Sequence, residues 1–213
     1  MTRTLPAAEV FSHALRGEAC YLTAEGSTPV RLPVDAWRRL ADQSDRRLVA
    51  LCSGPTLDVG CGPGRLTAEL AVSGHITLGI DIVEEAVRQT LGRGASALRR
   101  DVFDAVPGEG RWETVLVADG NIGIGGDPAV LLRRLHRLLV PGGQVVLEVT
   151  PPGVRAGSDL VRLHCACASS PPFAWAVVGV EQVPELAERT GFRIARHLEL
   201  GDRRVTVLRE AAA

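Results

Sequence analysis

Leu57-Asp58-Val59-Gly60-Cys61-Gly62-Pro63-Gly64 places three glycines at alternate positions directly after a short apolar run. Glycine admits positive φ and lets a backbone approach a ligand closely. The helix expected next offers unpaired N–H groups to a carboxylate or phosphate. The plain alternative is a tight strand-to-helix turn. Two details narrow the chemistry. The spacing is Gly-x-Gly-x-Gly, not the Gly-x-Gly-x-x-Gly that closes around a pyrophosphate. Asp58 precedes the glycines, where its charge repels phosphate and attracts an ammonium group.

Three further segments carry polar groups to the same kind of place. Asp81 follows Thr77-Leu78-Gly79-Ile80, a position from which an acid can accept both ribose hydroxyls or cap the following helix. Asp101, in Arg99-Arg100-Asp101-Val102-Phe103, can accept from an adenine amino group or stand in solvent. The run Ala118-Asp119-Gly120-Asn121-Ile122-Gly123-Ile124-Gly125-Gly126 has the composition of a mobile active-site rim, or of an ordinary flexible loop. His164-Cys165-Ala166-Cys167 matches no zinc spacing and no second Cys/His pair follows it, so no metal is expected. His164 is a candidate acceptor-side base, with His13 a weaker one. His136 and His197 fall inside regular elements and read as structural. Trp37, Trp112 and Trp175 read as packing residues, although Phe173 and Trp175 also suit an apolar acceptor pocket.

These groups need a scaffold that brings strand ends together. Residues 5–16 read as a helix with Val10, Phe11 and Leu15 near one face, and residues 21–25 and 29–34 as a hairpin around Gly26-Ser27. Asp35 suits an N-cap for one amphipathic helix carrying Trp37, Leu40, Ser44, Leu48 and Leu51. From residue 55 strands alternate with helices: strands at 56–59, 75–80, 95–99, 113–118 and 144–149, helices at 66–72, 84–91 and 129–139. The run Glu113–Ala118 is continuously apolar in its interior, as a doubly covered parallel strand should be. Residues 151–172, rich in Pro, Ser and Gly, read as loop. A segment at 173–178, a helix at 181–190 and strands at 192–200 and 203–209 around Gly201-Asp202 complete the chain. The expectation is one domain. Residues 1–53 form an N-terminal helical cap on a Rossmann-like, doubly wound α/β core at 54–213, mostly parallel with an antiparallel C-terminal edge hairpin.

Composition limits the partners. The 213 residues are 46% hydrophobic and 23% charged with a net charge of −1, which excludes disorder and disfavours nucleic acid or an anionic membrane as the main partner. All 24 basic residues are arginine, so chemistry that needs a lysine is excluded. Five irregularly spaced cysteines are not a disulfide framework. With no signal peptide and no apolar run of about 18 residues, a cytoplasmic location is expected. The Arg-rich stretches at 38–47 and 133–137 read as solvated faces.

Residues 55–149 resemble a class I S-adenosylmethionine-dependent methyltransferase: LDVGCGPG matches the family's first motif, Asp81 its second-strand acid, Asp101-Val102 its third-strand pair, and Leu138-Leu139-Val140-Pro141-Gly142-Gly143 the turn before its fifth strand. The resemblance implies a cofactor site at Asp58, Gly60, Cys61, Gly62, Gly64, Asp81, Ile82, Asp101, Val102, Asp119 and Gly120. In it, Gly60, Cys61 and Gly62 present backbone to the methionine moiety, with Asp58 near its amine. Asp81 holds the ribose, Ile82 packs on the adenine, Asp101 and Val102 read the adenine edge, and Asp119 and Gly120 flank the methyl. Tyr21 and the helix at 5–16 lie near the site. It also implies direct displacement on the sulfonium methyl, helped mainly by alignment and exclusion of water, with Asp119 and His164 as candidate catalytic residues. The Asp119-Gly120-Asn121-Ile122 stretch lacks the Asn/Asp-Pro-Pro-aromatic motif of many base and amide-nitrogen methylators, so a small-molecule acceptor is expected, and a monomer or homodimer. The alternatives are a non-catalytic S-adenosylmethionine-binding module and an NAD-dependent oxidoreductase. The latter is disfavoured by Asp58, by the glycine spacing and by the absence of any lysine for a Tyr-x-x-x-Lys pair.

Overall fold

A computed structural model describes residues 2–211. The N-terminal part gives β1 (Arg3–Thr4), α1 (Ala7–Leu15), β2 (Tyr21–Ala24), β3 (Val30–Arg31), α2 (Val34–Arg38) and α3 (Gln43–Val49). The single amphipathic helix expected from Asp35 is thus two helices, broken at the exposed Leu40. The N-cap that matters is Asp42: its carboxylate accepts from Asp45 N at 2.9 Å while Asp45 Oδ2 accepts from Asp42 N at 3.0 Å. The alternation then follows: β4 (Thr56–Val59), α4 (Arg65–Val72), β5 (Thr77–Asp81), α5 (Glu84–Gly92), β6 (Ala97–Arg99), β7 (Trp112–Val117), a short 3-10 helix at Asn121–Gly126, α6 (Pro128–Leu138) and β8 (Leu139–Val149). The C-terminal part holds β9 (Gly157–His164), β10 (Ala168–Ser169), β11 (Phe173–Val177), α7 (Val183–Arg189), β12 (Phe192–Leu200) and β13 (Arg203–Glu210). No helix among the described residues is long and apolar enough to cross a membrane.

The main sheet has the order β12-β13-β8-β7-β4-β5-β6, parallel from β8 to β6, with β13 antiparallel to both its neighbours. Its central strands are apolar on both faces because both are covered. On β7, Val115 and Val117 join one core layer with Leu131 and Leu135 of α6, whereas Leu116 packs in the other with Leu48 of α3 and Leu70 of α4. Helix α6 is fixed at its start by Asp127, which accepts from Ala129 N and Val130 N, and by Pro128 in its first turn.

The reading of 151–172 as loop is corrected: β9 is the central strand of a second sheet, order β1-β10-β9-β2-β3, with β11 also paired to β9. Val161 and Leu163 of β9 are buried while Leu160 and Arg162 are exposed, the alternation of a strand with one covered face. Segment 173–178 joins this sheet, not the main one. The N-terminal segment and residues 157–177 therefore build one cap layer together.

Candidate active site

Strand order reverses at the β4/β7 junction, and ligands in such sheets sit beyond the carboxyl ends of the strands. There the structure opens a cavity of about 670 Å³, within the usual range of small-ligand sites, roughly 300–1,000 Å³. Its floor is the turn after β4 and the ends of β5 and β7. Its roof is the cap: Phe11 and Leu15 of α1, Leu22 of β2, Trp37 of α2 and Trp175 of β11.

Gly62 is the open face of the floor. It has φ +54, and a Cβ built on it meets no atom within 4 Å, so a methyl there would enter ligand space. Its N–H donates to Asp81 Oδ2 at 2.9 Å, and Val83 N–H donates to Oδ1 at 2.8 Å. Both carboxylate oxygens keep further lone pairs for hydroxyl donors. Burial pushes the Asp81 carboxyl above its ordinary value, against the pull of those N–H donors. The Cys61 thiol turns away toward Thr90 and Gly79, leaving its backbone to the cavity.

Asp58 is buried beneath the floor. Thr67 Oγ1 donates to its Oδ2 at 2.6 Å, but burial dominates and pushes the carboxyl up to about 7. Ile82, Asp101 and Val102 also face the cavity, with Asp101 Oδ1 accepting from Phe103 N–H at 2.9 Å. The loop that carries Asp101 and Val102 is held from behind by Arg134, whose Nε donates to Val102 O at 2.7 Å and whose Nη2 pairs with Glu109 at 2.5 Å. Arg134 is therefore a buried brace, not part of a solvated face.

Asp119 reaches the cavity wall with φ +52, unique among the described non-glycine residues. Strain of that kind persists only where surroundings hold it. Here Arg65 Nη2 binds Oδ2 at 2.5 Å, Arg203 Nη2 binds Oδ1 at 3.1 Å, and Asp119 N–H donates to Glu148 Oε2 at 2.8 Å. Arg65 and Arg203 both also bind the fully buried Asp45. Both carboxylate oxygens of Asp119 are thus engaged by arginines, which fix it against the cavity wall. The other candidate, His164, is off the wall. It pairs with Tyr21 across β2–β9, while the neighbouring pair Leu22–Leu163 takes the inner face, so alternation sends His164 and Tyr21 outward. Gly64 and Gly120 are also off the wall: Gly64 packs against Thr90 and its role is to cap α4.

The glycine-rich stretch after Asp119 is docked, not a mobile rim. A Cβ at Gly123 would lie 2.2 Å from Ala176 O, and one at Gly126 would lie 2.4 Å from Ala174 Cβ, so these glycines let the segment lie flat on β11. That contact presses β11, with Phe173 and Trp175 in T-shaped contact at 6.4 Å, onto the cavity.

Residues 56–143 match the model of a family described as methyltransferase domain. Over that segment the chain is similar to methyltransferase domains. Curated relatives include the ubiquinone biosynthesis O-methyltransferases of Pseudomonas paraeruginosa, 28% identical, and Pseudomonas syringae pv. tomato, 30% identical, each over 148 residues. That alignment covers 65% of this chain and 56% of either relative, so the chain spans little more than half their length. A Bacteroides fragilis S-adenosylmethionine-dependent methyltransferase, solved with S-adenosylhomocysteine, superposes with a TM-score of 0.82 at 21% identity, covering 99% of both chains. The Burkholderia thailandensis 1,6-didemethyltoxoflavin-N1-methyltransferase gives 0.61 at 19% identity over 84% of this chain and 82% of that one. At these identities the likeness is one of fold.

The site also uses residues that sequence reasoning passed over. Asn121 Nδ2 donates to Val59 O at 3.2 Å and Gly60 O at 2.8 Å, clamping the glycine turn to the segment after β7. Thr67 holds Asp58, and Arg65 joins α4 to Asp45 and Asp119. A charged residue heading the otherwise apolar face of α4 is the one signal that pointed to Arg65. Nothing in the spacing pointed to Asp45.

Proposed function

We propose that this chain transfers a methyl group from S-adenosylmethionine to a small-molecule acceptor held under the cap. The observation that carries the reading is the convergence of Gly62, Asp81 and Asp58 on one wall of a cavity whose opposite wall is apolar and aromatic. The residues fit the donor: an open glycine face for close backbone approach, a carboxylate with spare acceptor capacity for ribose hydroxyls, and a buried acid for an ammonium group. When bound, S-adenosylmethionine supplies an electrophilic sulfonium methyl. The chain's own part is to align acceptor and donor and to exclude water, for which the Phe11, Trp37, Phe173 and Trp175 roof is suited.

No histidine lies on the cavity wall among the described residues, and Asp119 is engaged by two arginines. The acceptor is therefore read as one that needs little help from a protein base, such as a carboxylate or a readily ionised phenol. Arg31 and Arg100, both on the wall, favour the anionic form of such a group. The O-methyltransferase relatives support oxygen as the accepting atom. The test is incubation with S-adenosylmethionine and a panel of small aromatic phenols, carboxylic acids and amines, reading S-adenosylhomocysteine and methylated product by mass spectrometry. Product from phenols or carboxylates, absent with Asp81→Ala, is expected. Turnover of none of the panel by a protein that binds the donor favours the binding-module reading.

A further inference from the structure

We propose that His13, Glu18, Cys165 and Cys167 form a structural Zn2+ site that pins α1 to the turn between β9 and β10. The four donor atoms come from opposite ends of the chain yet lie within 4.8 Å of one another. Cys165 Sγ and Cys167 Sγ are 3.4 Å apart, Cys167 Sγ lies 3.8 Å from His13 Nδ1, and Cys167 Sγ lies 3.4 Å from Glu18 Oε2. Tetrahedral Zn2+, with Zn–S about 2.3 Å and Zn–N about 2.0 Å, sets donor–donor separations of roughly 3.3–3.8 Å. Those three distances match the edges of such a tetrahedron. A fourth of the six edges, His13 Nδ1 to Glu18 Oε1 at 2.6 Å, is a hydrogen bond that Zn2+ would replace, and the two from Cys165 to His13 and Glu18 lie within 4.8 Å.

The missing second pair of ligands explains why the Cys-x-Cys spacing carried no metal reading in the sequence: that pair stands 149 and 154 residues away, at the end of α1 and just beyond it. Two thiolates, an imidazole and one carboxylate suit a borderline-soft ion and disfavour Mg2+ and Ca2+. Four protein ligands leave no open position, which marks a structural site, not a catalytic one. None of the four lines the cavity. Cys20, nearby, is buried with its thiol on Val10 O and is not counted as a ligand. Cys167 is exposed and His13 and Cys165 half-buried, which leaves an entry path for the ion.

On binding, the Cys165 and Cys167 thiols each lose a proton and the neutral imidazole and Glu18 carboxylate complete the shell. Phe11 and Leu15 on α1 and Trp175 on β11 are cavity walls, so the ion fixes the seam between the two halves of the cap that roofs the site.

The test uses full-length protein stripped by a chelator under reducing conditions. Zn2+ alone is then added in competition with a chromophoric chelator. One tightly held Zn2+ per chain and a rise in Tm are expected. Cys165→Ser and Cys167→Ser should each weaken the site by at least about hundredfold, beyond what loss of an outer-shell partner costs. His75→Ala, a histidine between α4 and β5, should leave it unchanged. Should the cysteine variants fail to fold, Co2+ added to the wild-type protein decides: thiolate-to-cobalt charge-transfer absorption supports the site and its absence overturns it. No stoichiometric uptake, or uptake that survives the Cys165→Ser/Cys167→Ser double substitution, also overturns it. S-adenosylmethionine binding, measured separately, reports on the catalytic reading independently.

Discussion

Asp58 gives the site a pH dependence of predictable sign. Burial holds its carboxyl up to about 7, against 3.8 for the unperturbed group. A bound ammonium group favours the ionised form, so below pH 7 the donor must first expel a proton from Asp58. Its affinity should then fall by close to tenfold per pH unit, reaching between about tenfold and hundredfold at pH 5 relative to pH 8. The donor's own α-amino group, ordinarily titrating near 8, stays cationic over the acid part of that range. For the empty protein the sign is reversed. An acid whose folded value exceeds the unfolded one contributes stability that is complete below about pH 4 and lost as pH rises through about 7. Asp58→Asn keeps the acceptor for Thr67 Oγ1 and removes the buried charge. It should raise stability at pH 8 by a few kcal/mol while weakening donor binding there and flattening its pH profile. Calorimetric titration of wild type and variant with S-adenosylmethionine from pH 5 to 8, in buffers of differing ionisation enthalpy, reads both affinity and released protons. A wild-type affinity that is flat across this range, with no proton release, refutes the reasoning.

Gly62→Ala places a methyl in open cavity space at a left-handed backbone position, costing about 1–2 kcal/mol in strain; the protein should stay folded by circular dichroism and lose tenfold or more in donor affinity. Arg65→Ala leaves Asp119 with Arg203 alone and strips one partner from fully buried Asp45, a loss of roughly 3 kcal/mol. A Tm drop of about 6–12 °C by calorimetry is expected for a chain of this size. Gly123→Ala drives its Cβ toward Ala176 O, and should shift Trp175 fluorescence and impair acceptor turnover more than donor binding.

Periodicity made the main sheet legible. The runs at 56–59 and 113–118 are apolar because helices cover both faces, and each ends on the cavity wall, at Val59 and Ala118. The second sheet was not legible in the same way. Strand β9 is a short alternating stretch, Leu160-Val161-Arg162-Leu163-His164, inside a Pro- and Gly-rich region, and its partners lie at residues 21–24 and 173–177. Pairing over that separation leaves no local mark. The same holds for Asp45, Arg65, Asp119 and Arg203, whose shared ion network is spread over four elements and connections. Glycines 123 and 126 were visible, but their reason was the backbone of β11 against them, not mobility.

The most direct measurement is calorimetric titration of wild type and Asp81→Ala with S-adenosylmethionine, S-adenosylhomocysteine and NAD. Micromolar binding of the two sulfur ligands, strongly weakened by the substitution, and no binding of NAD is the expected result. Binding of NAD alone, or binding of the sulfur ligands that Asp81→Ala leaves unchanged, contradicts the site described for this chain.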